Sequence, residues 1–189
     1  SLTFMPGTDL LNPAKPIISM PANFNITSGS LIDSIVFSDL TLRGTDYASK
    51  YVFNINTACT IGKIRFDNCR AEIFRGVVRT QSQPAIINAF EVNNCIIDSI
   101  AGYGLLTVDV VTSKADMITV TNSTFYKMEK VITSRNNSTS LLIDNCTFNE
   151  APTGSSSAYY IDYSIAGTNN VTNGITVNNC IFGIGKITT

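Results

Sequence analysis

The chain has 189 residues, a formal net charge of -1, only 14% charged residues and no histidine. Near-neutrality offers no bulk field to recruit nucleic acid or an anionic membrane, and no apolar run approaches the roughly 20 residues of a membrane span. The missing imidazole removes His-dependent triads and His-ligated zinc, while the length suits one domain with a continuous core.

Residues 1–30 carry Pro6, Pro13, Pro16 and Pro21. Proline cannot donate to a β-ladder, so this stretch reads as a lead-in or end cap, with the main domain spanning 31–189. There the chain begins to repeat itself. A weak copy, Ile35-Val-Phe37-Ser-Asp39-Leu40-Thr-Leu42, is followed by Ile64-Arg-Phe66-Asp-Asn68-Cys69-Arg-Ala71 and Phe90-Glu-Val92-Asn-Asn94-Cys95-Ile-Ile97. Ile118-Thr-Val120-Thr-Asn122-Ser123-Thr-Phe125, Leu141-Leu-Ile143-Asp-Asn145-Cys146-Thr-Phe148 and Ile175-Thr-Val177-Asn-Asn179-Cys180-Ile-Phe182 complete the series. A sentence repeated every 23 to 34 residues, counted Asn to Asn, is the mark of a solenoid.

Each copy has apolar residues two apart, as in a short strand with one inward face, and then an Asn that tolerates a sharp bend. Further short apolar runs follow, such as Thr124-Phe125-Tyr-Lys-Met128 and Val131-Ile132-Thr133. Three strands and three turns make one coil. The fold expected is all-β: a single-stranded parallel β-helix of about six coils, its strands pairing with their copies above and below at about 4.8 Å. Asn68, Asn94, Asn122, Asn145 and Asn179 should then form an internal amide ladder, with Cys69, Cys95, Ser123, Cys146 and Cys180 as a column of small buried side chains beside it. Cys59 alone stands outside that column. Sparse charge fits, because stacked like charges repel.

Aligning the third strands sets Val110-Val111-Thr112-Ser113-Lys114 over Val131-Ile132-Thr133-Ser134-Arg135, with Gln81 one coil earlier. Two cations about 5 Å apart would neutralise a uronate carboxylate and lower the pKa of Lys114 toward a general base, the outline of a β-eliminating polysaccharide lyase. Arg79 and Gln81 join them as candidate substrate-binding residues. In the longest interval a Gly/Ser-rich stretch precedes Tyr159, Tyr160 and Tyr163, whose flat faces and polar edges suit sugar stacking, although alternation turns some of them inward. Hydrolysis would need two carboxylates on one surface, and Asp109 and Asp162 fall about two coils apart. No stretch clusters the oxygens that calcium requires, so no metal and no cofactor is expected from the sequence, although stacking can bring separated carboxylates together.

The repeated apolar-x-apolar-x-Asn-Cys/Ser-x-Phe motif resembles the right-handed parallel β-helix proteins of the pectate-lyase-like superfamily. More narrowly, it is similar to β-helix domains of secreted or surface proteins in Bacteroidetes polysaccharide-utilisation systems. The resemblance covers roughly residues 31–185 and rests on scaffold positions. It implies right-handed winding, an extracellular or cell-surface setting, a polysaccharide partner that includes uronic-acid polymers, and a place among other domains of a longer protein. The paired aspartates and His of polygalacturonases are absent, and Arg75-Gly-Val-Val-Arg79 lacks the proline of the pectate-lyase arginine motif. A non-catalytic polysaccharide-binding or presenting module is the leading expectation, ahead of a lyase using Lys114 and Arg135 and of a structural or adhesin-like spacer.

Overall fold

The computed structural model describes residues 1–6, 15–153, 159–163 and 170–185. β1 (Leu2–Phe4) and β2 (Ile17–Met20) lead; β3 (Leu31–Ser38), β4 (Thr41–Gly44) and β5 (Tyr51–Ile55) make the next turn. β6 (Cys59–Asp67) with a long β7 (Arg70–Thr80), then β8 (Ala85–Asn93) with a long β9 (Ile96–Val108), form two more. β10 (Lys114–Thr121), β11 (Thr124–Met128) and β12 (Ile132–Ser134) precede β13 (Ser140–Asp144), β14 (Thr147–Asn149) and β15 (Ile161–Asp162). β16 (Ile175–Asn178) and β17 (Ile181–Phe182) follow.

Among the described residues every paired strand is parallel to its neighbour and lies one turn away, so the molecule is an all-β solenoid of about five turns with partial turns at its ends. The first sheet runs β1-β3-β6-β8-β10-β13-β16. The second runs β2-β4-β7-β9-β11-β14-β17, and the far halves of β7 and β9 continue into a third with β5, β12 and β15. Register follows the repeat: Ile35, Ile64, Phe90, Ile118, Leu141 and Ile175 stack, as do Phe37, Phe66, Val92, Val120, Ile143 and Val177. Those of β3 to β13 are at most 3% exposed, which makes them the lumen's apolar filling. Each fully buried Ile or Phe contributes roughly 1.5–3 kcal/mol.

The stretch read as a lead-in is more than that. Leu2, Thr3 and Phe4 pair with Ile35, Val36 and Phe37; Ile17–Met20 pairs with β4; and Phe24 bridges to Phe53, so residues before 31 supply a turn of their own. Pro6, Pro16 and Pro21 fall between strands, where no ladder donor is needed. Pro13 lies outside the described residues.

The Asn bend is present in all six copies: Asp39, Asn68, Asn94, Asn122, Asn145 and Asn179 have φ between 50° and 58°. Asn68 donates to Asp39 Oδ1 (2.5 Å), Asn94 to Asn68 Oδ1 (3.1 Å) and Asn145 to Asn122 Oδ1 (3.4 Å). Asn122 and Asn179 step sideways to Asn93 Oδ1 (2.9 Å) and Asp144 Oδ1 (3.0 Å). This ladder lies on the outer rim of the turn, with Asn94, Asn122, Asn145 and Asn179 exposed. A left-handed residue turns its side chain away from the lumen, and the next residue enters instead: Cys69, Cys95, Ser123 and Cys146 are at most 2% exposed. Opposite charges offset one another in the same stacking: Arg43 pairs with Glu72 (2.5 Å) and Lys63 with Glu91 (3.0 Å) across adjacent turns, and Arg70 bridges the stacked carboxylates of Glu72 and Asp98.

Candidate functional site

Three of the predicted site residues come together on the outer face of the third sheet. Pairing sets Asn54, Arg79, Thr107, Thr133 and Asp162 in one column. Two residues further on, Gln81, Asp109 and Arg135 form the next, since their amides donate to Ile55, Thr80 and Val108 (2.7, 3.0 and 2.9 Å). Asn54 Nδ2 donates to Gln81 Oε1 at 2.7 Å. Asp109 ties the two columns: Arg79 Nε donates to its Oδ2 at 3.0 Å, Arg79 Nη2 also contacts it, and Arg135 Nε stands 3.5 Å from Oδ1. Burial works against the Arg79 charge, but the hydrogen bond and charge of Asp109 outweigh it and hold the guanidinium protonated.

Aromatic rings back this face. The Arg79 guanidinium lies 3.9 Å from the Tyr103 ring centre and 6.0 Å from that of Tyr51, and Arg75 lies 4.8 Å from Tyr103. The two rings meet edge to face at 5.7 Å and 61°. Gly76 permits this approach, because a Cβ there would stand 2.7 Å from Tyr103 Cβ and 3.1 Å from the Tyr51 ring. Tyr51 is 2% exposed, and burial pushes its phenol up despite the nearby arginines.

Lys114 does not join Arg135. It opens β10 opposite Ile86, with Nζ 2.7 Å from Asp116 Oδ1, whereas the position over Arg135 belongs to Asp109. The apolar doublet Val110-Val111 imitates Val131-Ile132, but the true counterparts are Leu105-Leu106, and Val111 is 61% exposed in a turn. Asp162 pairs with Thr133 rather than standing in the Asp109 column. Of the tyrosines beside the Gly/Ser stretch, Tyr159 is exposed, Tyr160 packs on Phe148 and Phe182 (5.4 and 5.0 Å), and Tyr163 donates to Ser138 Oγ at 2.8 Å. They therefore present one open ring, not a platform. Arg75, Tyr51 and Tyr103 were missed by sequence reading; setting Gly76 over Gly104, as they pair, is the signal that would have joined them.

Elsewhere an open concavity of about 610 Å³ lies over Asp33, Gly62, Lys63 and Arg65 on the first sheet, and a groove of about 290 Å³ runs past Tyr47, Lys127 and Glu129. Among the described residues no group of three or more Cys, Asp or Glu is placed to hold a metal ion.

Fold and face together define a parallel β-solenoid with a polar, arginine- and tyrosine-bearing outer sheet. Residues 1–128 match the family described as a domain of unknown function (DUF4957), and the chain belongs to that family. No curated protein and no solved structure matches it.

Proposed function

We propose that this chain is a non-catalytic polysaccharide-binding or presenting module, exported and held at the cell surface beside other domains, with the outer third-sheet face as its sugar-contacting surface. The observation that carries the reading is the gathering of Asn54, Gln81, Arg79, Asp109 and Arg135 in two adjacent columns with Tyr103 behind them. Planar amide, guanidinium and carboxylate groups at the fixed rise of a β-ladder suit the hydroxyls of an extended chain, and tyrosine adds a flat apolar face. The repeat motif's likeness to pectate-lyase-like β-helices supports the same class of ligand. No arrangement around Lys114 favours elimination over binding, since its ammonium faces Asp116.

The test is a glycan array and a panel of soluble polysaccharides on the purified chain, with ultraviolet absorbance of unsaturated product followed in parallel. Binding without new absorbance, weakened by Gln81→Ala and Arg135→Ala, is the expected result. Absorbance that grows with time and vanishes in Lys114→Ala would establish a lyase instead. Silence in both channels would move the protein to the structural class.

A further inference from the structure

Strand β9 carries excess chain at one place. Five residues lie between Ile100 and Leu106, against three between the paired Phe74 and Val78 and three between the paired Met128 and Ile132. Excess residues in a ladder must leave its plane, and such bulges re-aim side chains, often beside functional sites. Against β7 the excess falls at residues 101–103, which stand opposite Arg75 alone. Gly102 keeps the protrusion open, since a Cβ there would meet no atom nearer than Glu129 Oε2 at 3.5 Å.

The groove of about 290 Å³ lies against this bulge. Ile100, 1% exposed, and Ala101 give it an apolar patch, Lys127 and Glu129 line it from the next turn and Thr153 from the one after. Tyr47 lines it from the N-terminal side, on the connection between β4 and β5. The ring is 49% exposed, and its turn is pinned by Asp46 Oδ1, which accepts from the amides of Ala48 and Ser49 (2.8 and 2.7 Å). An aromatic face is thus held open on a fixed turn. Glu129 has no side-chain partner among the described residues, whereas Lys127 rests on the Tyr126 ring at 4.9 Å. Thr153 Oγ1 donates to Met128 O at 3.1 Å and keeps its lone pairs for another donor. One cation and one anion line the groove, so shape and hydrogen bonding select its ligand rather than net charge.

We infer that this groove is a subsite for a single uncharged sugar residue, and that it makes the chain prefer branched over linear polysaccharides. The inference rests on the saccharide-binding reading above and specifies the architecture of the ligand. Small-ligand clefts start at about 300 Å³, so this one suits a single ring rather than a polymer. Tyr47 offers the flat face on which a sugar ring stacks, while Glu129 accepts from its hydroxyls and Lys127 donates to them. Tyr103, which carries the Arg79 guanidinium on its ring, follows Ala101 by two residues, about 7 Å along a strand. A backbone lying along the third-sheet columns therefore passes within reach of the groove, and a one-residue branch can enter it while that backbone stays in place.

Calorimetric titration compares linear mannan, xylan and glucan oligosaccharides with counterparts of equal backbone length that bear single galactose, arabinose or xylose branches. The wild type should bind at least one branched set roughly tenfold more tightly than its linear counterpart, with little change as salt is raised. Tyr47→Ala should remove that preference and leave linear binding intact, and Tyr47→Phe should keep most of it. Glu129→Gln should lower branched affinity several-fold; it carries the test if Tyr47→Ala disturbs its turn. Equal binding of branched and linear sets, or a branched advantage that survives both Tyr47→Ala and Glu129→Gln, overturns this inference while sugar binding stands. No binding by any set overturns both.

Discussion

One position after the Asn bend shows how little chemistry a column needs. Cys69, Cys95 and Cys146 turn their thiols back onto the carbonyls of Asp67, Asn93 and Asp144 (3.3, 3.1 and 3.3 Å), and Ser123 does the same to Thr121 at 2.7 Å. The next turn's atom then accepts a backbone amide: Cys95 Sγ from Cys69 and Ser123 Oγ from Cys95. Sulfur and oxygen exchange freely because the place asks for a small side chain able to donate and accept once. These thiols are structural, and burial pushes Cys146 up to about 11. A thiol raised above its unfolded value stabilises the fold below that value and loses the contribution as pH rises through the folded one. Between pH 9 and 11 the wild type should therefore lose on the order of 2–3 kcal/mol that Cys146→Ala does not lose, read from urea unfolding at each pH. Parallel curves for the two proteins would show that Cys146 titrates normally.

At the scale of the strand and its bends, two corners were written differently. The first corner was legible because Asn tolerates the left-handed conformation and its amide reaches the neighbouring turn. Asn122→Ala should cost about 1–3 kcal/mol, combining a left-handed Ala with two lost amide contacts, while Asn122→Gly should cost less by removing the backbone strain. Denaturant midpoints measure both, and equal losses would mean that the ladder alone matters. The second corner had no signature. Ile73, Ser99, Lys127 and Glu150 stack there with φ between 49° and 63°, and they share no chemistry. A β-branched Ile in that conformation is held by the strands on either side rather than by its own preference. Sequence reading could find the bend that side chains make, not the one the backbone imposes.

For the molecule as a whole, sequence fixed the order of turns better than their alignment. The first-sheet register was readable because six copies of one motif over-determine it. Third-sheet register was not, since the connections back to the first sheet differ in length and a stray Val110-Val111 offers a false match; Lys114 was misplaced for that reason, whereas Gln81 and Arg135 do stand in one column beside that of Arg79. Each turn contacts mainly its neighbours, so protection should be graded along the axis. Hydrogen exchange should be fastest in β16, whose residues are all exposed, and slowest in β6 to β9, which are paired on both sides. Uniform protection from β1 to β16 would instead indicate one all-or-none unit. The Asn ladder carries one further consequence. Each of its amides donates toward the earlier turn, and from Asn94 through Asn68 the side-chain dipoles run head to tail with their positive end at Asp39. A carboxylate standing there terminates the series electrostatically, as an acidic residue does at the start of an α-helix. Hydrogen bonds from Ser38 and Asn68 hold Asp39 below the usual carboxylate range, so what reads as the weakest copy of the repeat is the anionic terminus of a polarised column.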